Sequence, residues 1–384
     1  MKNKLFIAAL SVILALFSGC KNENLKEKVT DSAESVIRSP DLYEDDYTLL
    51  IYICGSSLES KNGAASDDIS ELLAADIPHN VNVILETGGS TSWKKHGISA
   101  GKLQRYRMCE NKMELLEENE LSSMGDSSTL REFIDWGTEK FPAKKTSLIL
   151  WDHGGGFLEG ICKDEIYGGD WLTVDEFDNA LKSCSYPFGF DFIGFDACYM
   201  SSYETALIAA KYCDYMIASE NKEPAGGWDY RAIANSLGSG NEIAGLLNSF
   251  SEEYNKKEEF SLTVLNLSEL DTVKAAFKDC IDKGKTRFEE AISEASSIGY
   301  FSYGIYDMGD FARLLGIEAD FSDCITVAAS DNMSDLSGIS FCFPMEDSKL
   351  MADYIEKSTD DYYIAFLRYN YSVCASKIPT ITAS

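Results

Sequence analysis

The chain has 384 residues, room for one large domain or two modest ones at about 100–200 residues each. Hydrophobic residues make up 45% and charged residues 25%, with 28 Gly and 7 Pro, a balance that excludes disordered, collagen-like and heptad-repeat chains. A formal net charge of −29 disfavours nucleic acid and favours cationic ligands, peptides bearing Lys or Arg among them.

Met1 to Lys4 carry two lysines, and the apolar run Leu5 to Phe17 ends in Phe17-Ser18-Gly19-Cys20. The run is short for a membrane span of about 20 residues and reads as an export signal. Small residues before a cysteine resemble the lipobox of bacterial lipoproteins, with Phe17 in place of the usual Leu. On that reading residues 1–19 are removed, Cys20 carries lipid, and the protein is exported and anchored at the bacterial cell surface or membrane. Residues 20–46 are polar and lack apolar periodicity, which describes a tether, and the folded part starts at Tyr47.

From there two kinds of segment alternate. Strand-like apolar runs are predicted at Thr48–Cys54, Val81–Glu86, Thr146–Asp152, Phe190–Asp196, Tyr215–Ser219, Ser261–Leu267 and Ile339–Phe343. Amphipathic segments are predicted at Asp67–Ala75, Ser128–Lys140, Thr173–Ser183 and Ser201–Tyr212, the third opening on a Thr173…Glu176 capping box. Leu103–Cys109 and Lys112–Leu116 form an inserted hairpin. Strands alternating with helices imply an α/β protein with a mostly parallel central sheet covered on both faces. Residues 47–267 make up this core. Residues 268–384 read as mainly helical, either completing the core or forming a second lobe.

The chain has eleven cysteines but no CxxC, and only His79, His96 and His153 as imidazoles, which removes the common zinc and redox motifs. Setting aside Cys20 and one nucleophile leaves an odd number, so the cysteines cannot all pair and most are expected as buried thiols.

In an open parallel sheet ligands sit beyond the carboxyl ends of the strands. Those ends read Cys54-Gly55-Ser56-Ser57, Glu86-Thr87-Gly88-Gly89, Trp151-Asp152-His153-Gly154-Gly155-Gly156, Asp196-Ala197-Cys198 and Ser219-Glu220. Cys198 and His153 can therefore face one cleft, a thiol that attacks and an imidazole that takes its proton and returns it to a leaving amine. Backbone N–H groups of Gly154 and Cys198 are the candidate oxyanion donors, because glycine lets substrate approach the main chain.

Leu148-Ile149-Leu150-Trp151-Asp152-His153-Gly154-Gly155-Gly156, followed by Phe195-Asp196-Ala197-Cys198-Tyr199-Met200, resembles the clostripain family of cysteine peptidases. Thr48–Cys54 resembles its first strand, and Ala218-Ser219-Glu220 through Gly227-Trp228-Asp229-Tyr230 its segment after the cysteine strand. The resemblance implies a caspase-like α/β/α sandwich, a Cys198–His153 dyad, and cleavage of protein or peptide substrates after Arg or Lys. It gives Asp196 the pocket for the basic side chain; Glu220, at the end of the neighbouring strand, is placed to reinforce that pocket. Two residues of one strand at 196 and 198 would project to the same face, close to each other. Relatives made as zymogens are cut between the histidine and the cysteine, where only Lys163 and Lys182 are basic. Lys182 falls in the predicted Thr173–Ser183 helix and Lys163 in a Gly-rich, exposed stretch, so Lys163 is the candidate for self-cleavage. Gly55-Ser56-Ser57 departs from the pattern in lacking an acidic or amide side chain. No cofactor is required by this chemistry. Calcium stays open, because acidic residues abound and some relatives are calcium-activated, although no spaced ligand motif is present.

Other readings compete. Asp152 should face away from His153 and act structurally, and Cys54 should pack at its strand end. Gly97-Ile98-Ser99-Ala100-Gly101 fits a serine-hydrolase elbow, but no strand precedes Ser99 and no helix follows it. A surface binding protein without activity, on the same caspase-like scaffold, is the alternative from another class.

Overall fold

A computed structural model describes residues 43–377, apart from residues 110, 225, 255–258, 285–286, 296–297, 299–303, 331–332, 344–348 and 358–360. The export signal, Cys20 and most of the tether lie outside the described residues. The strands are β1 (Asp45–Cys54), β2 (Val81–Gly88), β3 (Leu103–Cys109), β4 (Lys112–Asn119), β5 (Ala143–Trp151), β6 (Ile161–Asp164), β7 (Asp170–Leu172), β8 (Phe190–Asp196), β9 (Cys213–Ala218), β10 (Ser261–Asn266), β11 (Gly304–Asp307), β12 (Ile325–Ala329) and β13 (Ser340–Phe343).

β1 and β2 are near-continuous apolar runs because both of their faces are covered. Alternate residues sort to opposite sides of the sheet. Leu50, Tyr52 and Cys54 pack with Leu148, Leu150 and Phe195 on one face, while Leu49, Ile51 and Ile53 pack with Ile149, Trp151 and Trp228 on the other. Each fully buried Leu, Ile or Phe contributes about 1.5–3 kcal/mol of burial free energy, which makes this double core the main source of cohesion.

The main sheet runs in the order β12-β10-β9-β8-β5-β1-β2-β3-β4. β9, β8, β5, β1 and β2 are mutually parallel, and antiparallel pairs flank them on both sides. The exposed edge β4 carries Glu114, Glu117 and Glu118, charges that discourage pairing with a further strand. The chain leaves β1 toward β2 on one side and returns to β5 on the other, so the topological switch point lies between β1 and β5.

Helix Val174–Ser183 begins at the expected capping box, with the Thr173 hydroxyl accepting from Glu176 N and Glu176 accepting from Thr173 N. Among the described residues the region after Leu267 is mainly helical, and the predicted apolar run at Ile339–Phe343 forms β13. The same residues hold three short strands, of which β12 extends the main sheet and β11 pairs with β13 apart from it. β11 and β12, of four and five residues, are too short to show a period in sequence.

Candidate active site

Three turns leave the carboxyl ends of β1, β5 and β8 beside the switch point and carry Ser56-Ser57, Asp152-His153 and Ala197-Cys198. β8 ends at Asp196, so Cys198 stands in the turn beyond the strand, which corrects the same-strand argument for its closeness to Asp196. Both residues nevertheless line one cavity of about 110 Å³, with Asp68, Trp151, Asp152, His153 and Glu223 among its other walls. The His153 and Cys198 turns touch: a Cβ on Gly154 would lie 2.0 Å from the Cys198 carbonyl oxygen, so only glycine fits there. Ser56, Cys162 and Tyr199 around the site hold positive φ angles of 48°, 59° and 64°. Such angles are uncommon for residues with a side chain and gather where a structure must aim a group.

His153 is half-buried, and its Nε2 lies 3.2 Å from the Ser57 hydroxyl. Burial first, then the cations of Lys163 and Lys61, hold its basicity below the ordinary imidazole value. Cys198 Sγ accepts from the Glu223 N–H at 3.3 Å. Burial pushes the thiol up, and the Glu223 N–H works against that. Both shifts favour the neutral forms, a thiol and an imidazole lining one cavity.

The floor of the cavity is acidic. Asp196 is buried and accepts from Tyr230 Oη at 2.9 Å and from Trp228 N at 3.4 Å, and burial raises its pKa to about 7. Asp68, from helix Ala64–Leu73, accepts from Trp151 Nε1 at 2.7 Å and is pushed well up by burial and by Asp196. Glu223 is pushed up by the same two causes. Its Oε1 accepts from Trp228 Nε1 at 3.3 Å, while Oε2 is buried without a hydrogen-bond partner. Burial thus biases all three carboxyls toward the protonated form. Sequence reasoning gave no role to Asp68, Glu223, Ser56 or Ser57. Glu223 and Trp228 lay within the quoted segment, but their convergence on Asp196 depends on the path of the loop.

Glu220 does not join the cavity, which corrects its predicted place in the substrate pocket. It is fully buried, its Oε2 accepts from Gly338 N at 2.8 Å, and its carboxyl meets that of Asp307. Lys163 is exposed, as expected, but lies in a strand: β6 pairs it with Trp171, its N–H donates to Asp152 Oδ2 at 2.5 Å, and its ammonium sits 4.9 Å over the Trp171 ring. Asp152 is buried, accepts from the Ser56 hydroxyl and Lys163 N, and has its pKa raised by burial to about 8. The described cysteines are all unpaired, and most of them, Cys54 included, are buried. Ser99 Oγ accepts from Gly101 N in an irregular loop.

The sequence profile of the clostripain family matches residues 51–362. Clostripain of Hathewaya histolytica is 26% identical over 216 residues, which span 48% of this chain and 39% of that protein. Among solved structures, a secreted cysteine protease of Bacteroides thetaiotaomicron named iotapain superposes with a TM-score of 0.66 at 18% identity, over 83% of this chain and 99% of that one. An inactive zymogen of a protease from Parabacteroides distasonis superposes with a TM-score of 0.63 at 22% identity, over 83% and 97% of the two chains. At these identities the likeness is one of fold, the caspase-like α/β/α sandwich. Because the profile runs through the parallel strands and through both turns that carry His153 and Cys198, the chain belongs to the clostripain family.

Proposed function

We propose that the protein is an exported cysteine endopeptidase that cleaves peptide bonds after Arg or Lys. The observation that carries this reading is a single cavity lined by a thiol, an imidazole and the carboxyls of Asp68, Asp196 and Glu223. An arginine or lysine side chain entering it would meet buried oxygens, one of them unpartnered, where a charge-assisted hydrogen bond is strongest.

With the cation seated, the scissile carbonyl lies over Cys198. His153 takes the Sγ proton as sulfur attacks the carbonyl carbon. The oxyanion rests on backbone N–H groups, for which Gly154 and Cys198 are the candidates. As the C–N bond breaks, the imidazolium returns that proton to the leaving amine, and a thioester remains. Water, losing its proton to His153, attacks the thioester; the C–S bond breaks and Cys198 recovers a proton from the imidazolium.

Lipid attachment at Cys20 would hold the enzyme at the membrane. Self-cleavage after Lys163 would mature it, once the β6–β7 pairing and the Asp152 contact open. A Lys163→Ala protein that still becomes two chains of unchanged sizes would rule that step out. The reading as a whole is tested with matched fluorogenic peptides ending in Arg, Lys, Asp or Leu, with and without calcium, beside Cys198→Ala. Turnover confined to Arg and Lys and absent from the variant is expected. Turnover of Asp or Leu peptides would sink the acidic-pocket reading, and no turnover even after nicking would sink the peptidase reading.

A further inference from the structure

We propose that Ser57 is the positioning residue of His153: its hydroxyl accepts from Nε2–H and leaves Nδ1 as the ring nitrogen that takes the Cys198 proton. This rests on the dyad reading above and names the atom that carries it out. Ser57 Oγ is 3.2 Å from Nε2, and Ser57 lies outside the cavity wall, whereas Leu58, His153 and Cys198 line it. The Nε2 edge of the ring is thus engaged at the β1 turn, and of the two ring nitrogens Nδ1 is the one that Ser57 does not occupy.

The turn that presents Ser57 is fixed on both sides. Ser56, with its φ of 48°, donates its hydroxyl proton to Asp152, accepts from Leu58 N at 3.2 Å, and offers its carbonyl to Ser90 Oγ at 2.9 Å. A π-helical turn, Leu58–Asn62, follows directly, a conformation that recurs at functional sites. Consecutive serines thus grip consecutive residues of the β5 turn, Ser56 on Asp152 and Ser57 on His153. The charges acting on the ring are the cations Lys163 and Lys61, and the Asp152 carboxyl takes the His153 main-chain N–H. A hydroxyl in this place orients the imidazole without adding a negative charge beside it, so the base stays neutral until attack. A carboxylate there would instead favour the imidazolium.

The test is 15N NMR of the full chain labelled at histidine, with His153 assigned by its loss in His153→Gln, together with pH profiles of turnover. The expected result is a neutral His153 protonated at Nε2. Ser57→Ala should mix the tautomers and move the ring pKa and the acid limb of kcat to lower pH. It should also lower kcat about five- to ten-fold, the worth of one hydrogen bond, with KM unchanged. Ser57→Asp should move both pH readouts upward, and Ser57→Thr, which keeps the hydroxyl, should restore the wild-type values. A wild-type ring protonated at Nδ1, or a Ser57→Ala protein with the same tautomer and the same acid limb, overturns the proposal. The spectra need no substrate, so a protein without turnover would end the peptidase reading while the tautomer still decides the role of Ser57.

Discussion

Asp196 and Glu220 stand at the carboxyl ends of adjacent parallel strands, both buried and both with carboxyls pushed above the ordinary range, yet they belong to different kinds of region. Around Asp196, helix Ala64–Leu73 brings Asp68, the loop after β9 brings Glu223, and two turns bring His153 and Cys198, all lining one small cavity. Around Glu220, the main chain at Gly338 closes one oxygen and Asp307 meets the other side, with Asp307 itself held by Ser337 and by Asp310 N. Asp307 also opens on a cavity of about 1520 Å³. Its lining carries several carboxyls but, unlike the smaller one, neither cysteine nor histidine. Position at a strand end makes a carboxylate available; what other elements bring to it decides whether it can hold a substrate.

The sharpest way to break the comparison is to remove its chemistry. Cys198→Ala should abolish turnover and labelling by a Lys or Arg chloromethylketone, and His153→Gln should lower kcat about 10²- to 10⁴-fold, read with an Arg peptide. Next comes the pocket. Asp196→Asn should lower kcat/KM for Arg peptides by about 100-fold or more while sparing any slow Leu cleavage, because a buried cation would lose a charged partner. Glu220→Gln should leave kcat/KM for Arg unchanged. If the two variants lose Arg turnover equally, the division drawn between the regions is wrong.

A smaller effect follows from the raised pKa values of the pocket carboxyls. Burial raises the Asp196 pKa to about 7 and pushes the Asp68 and Glu223 carboxyls up as well. Below about 7 the Asp196 carboxyl is mostly neutral and a cation gains little by entering. KM for an Arg peptide should therefore fall as pH rises from about 6 to 8, by up to about tenfold per proton displaced and per pH unit. A Leu peptide supplies the control, since its KM should not follow pH. An Arg KM that rises with pH over this range would contradict the assigned ionisation.

The fold and half of the site were legible in sequence for a physical reason. Parallel strands buried on both faces announce themselves as unbroken apolar runs, and His153 and Cys198 directly follow two of them, so one rule about strand ends placed both. Asp68 gave no such signal. It sits on one face of a helix whose sequence reads as amphipathic surface, and only the packing of that helix under Trp151 turns it inward. Ser57 was given no role, because its meaning depends on the register of β1 beside β5, in which Ile53 lies opposite Trp151. Glu220 misled because a strand-end position does not say toward which neighbour the side chain turns. Lys163 is exposed, but its Gly-rich surroundings did not show that it lies in a two-stranded hairpin, whose turn contains Gly168 and Gly169.

The Glu220–Asp307 contact also separates the regions in stability, by a modest amount and with a definite sign. Glu220 carries a pKa well above that of an unfolded glutamate, chiefly through burial and then through Asp307. Between those two values the folded state binds more protons than the unfolded state, so this group's contribution falls as pH rises past about 4.5. Glu220→Gln removes the titration and supplies an amide that can donate to Asp307. The variant should therefore gain on the wild type in Tm as pH rises from about 5 to 8, by about 2 °C or more at the upper end. Asp196→Asn should show a gain of the same sign, because its carboxyl is also raised, but its gain should disappear when a saturating Arg-containing inhibitor is present. The bound cation stabilises the ionised wild-type pocket and leaves Glu220 untouched. A ligand that erased the Glu220→Gln difference instead would place the functional pocket beside Asp307.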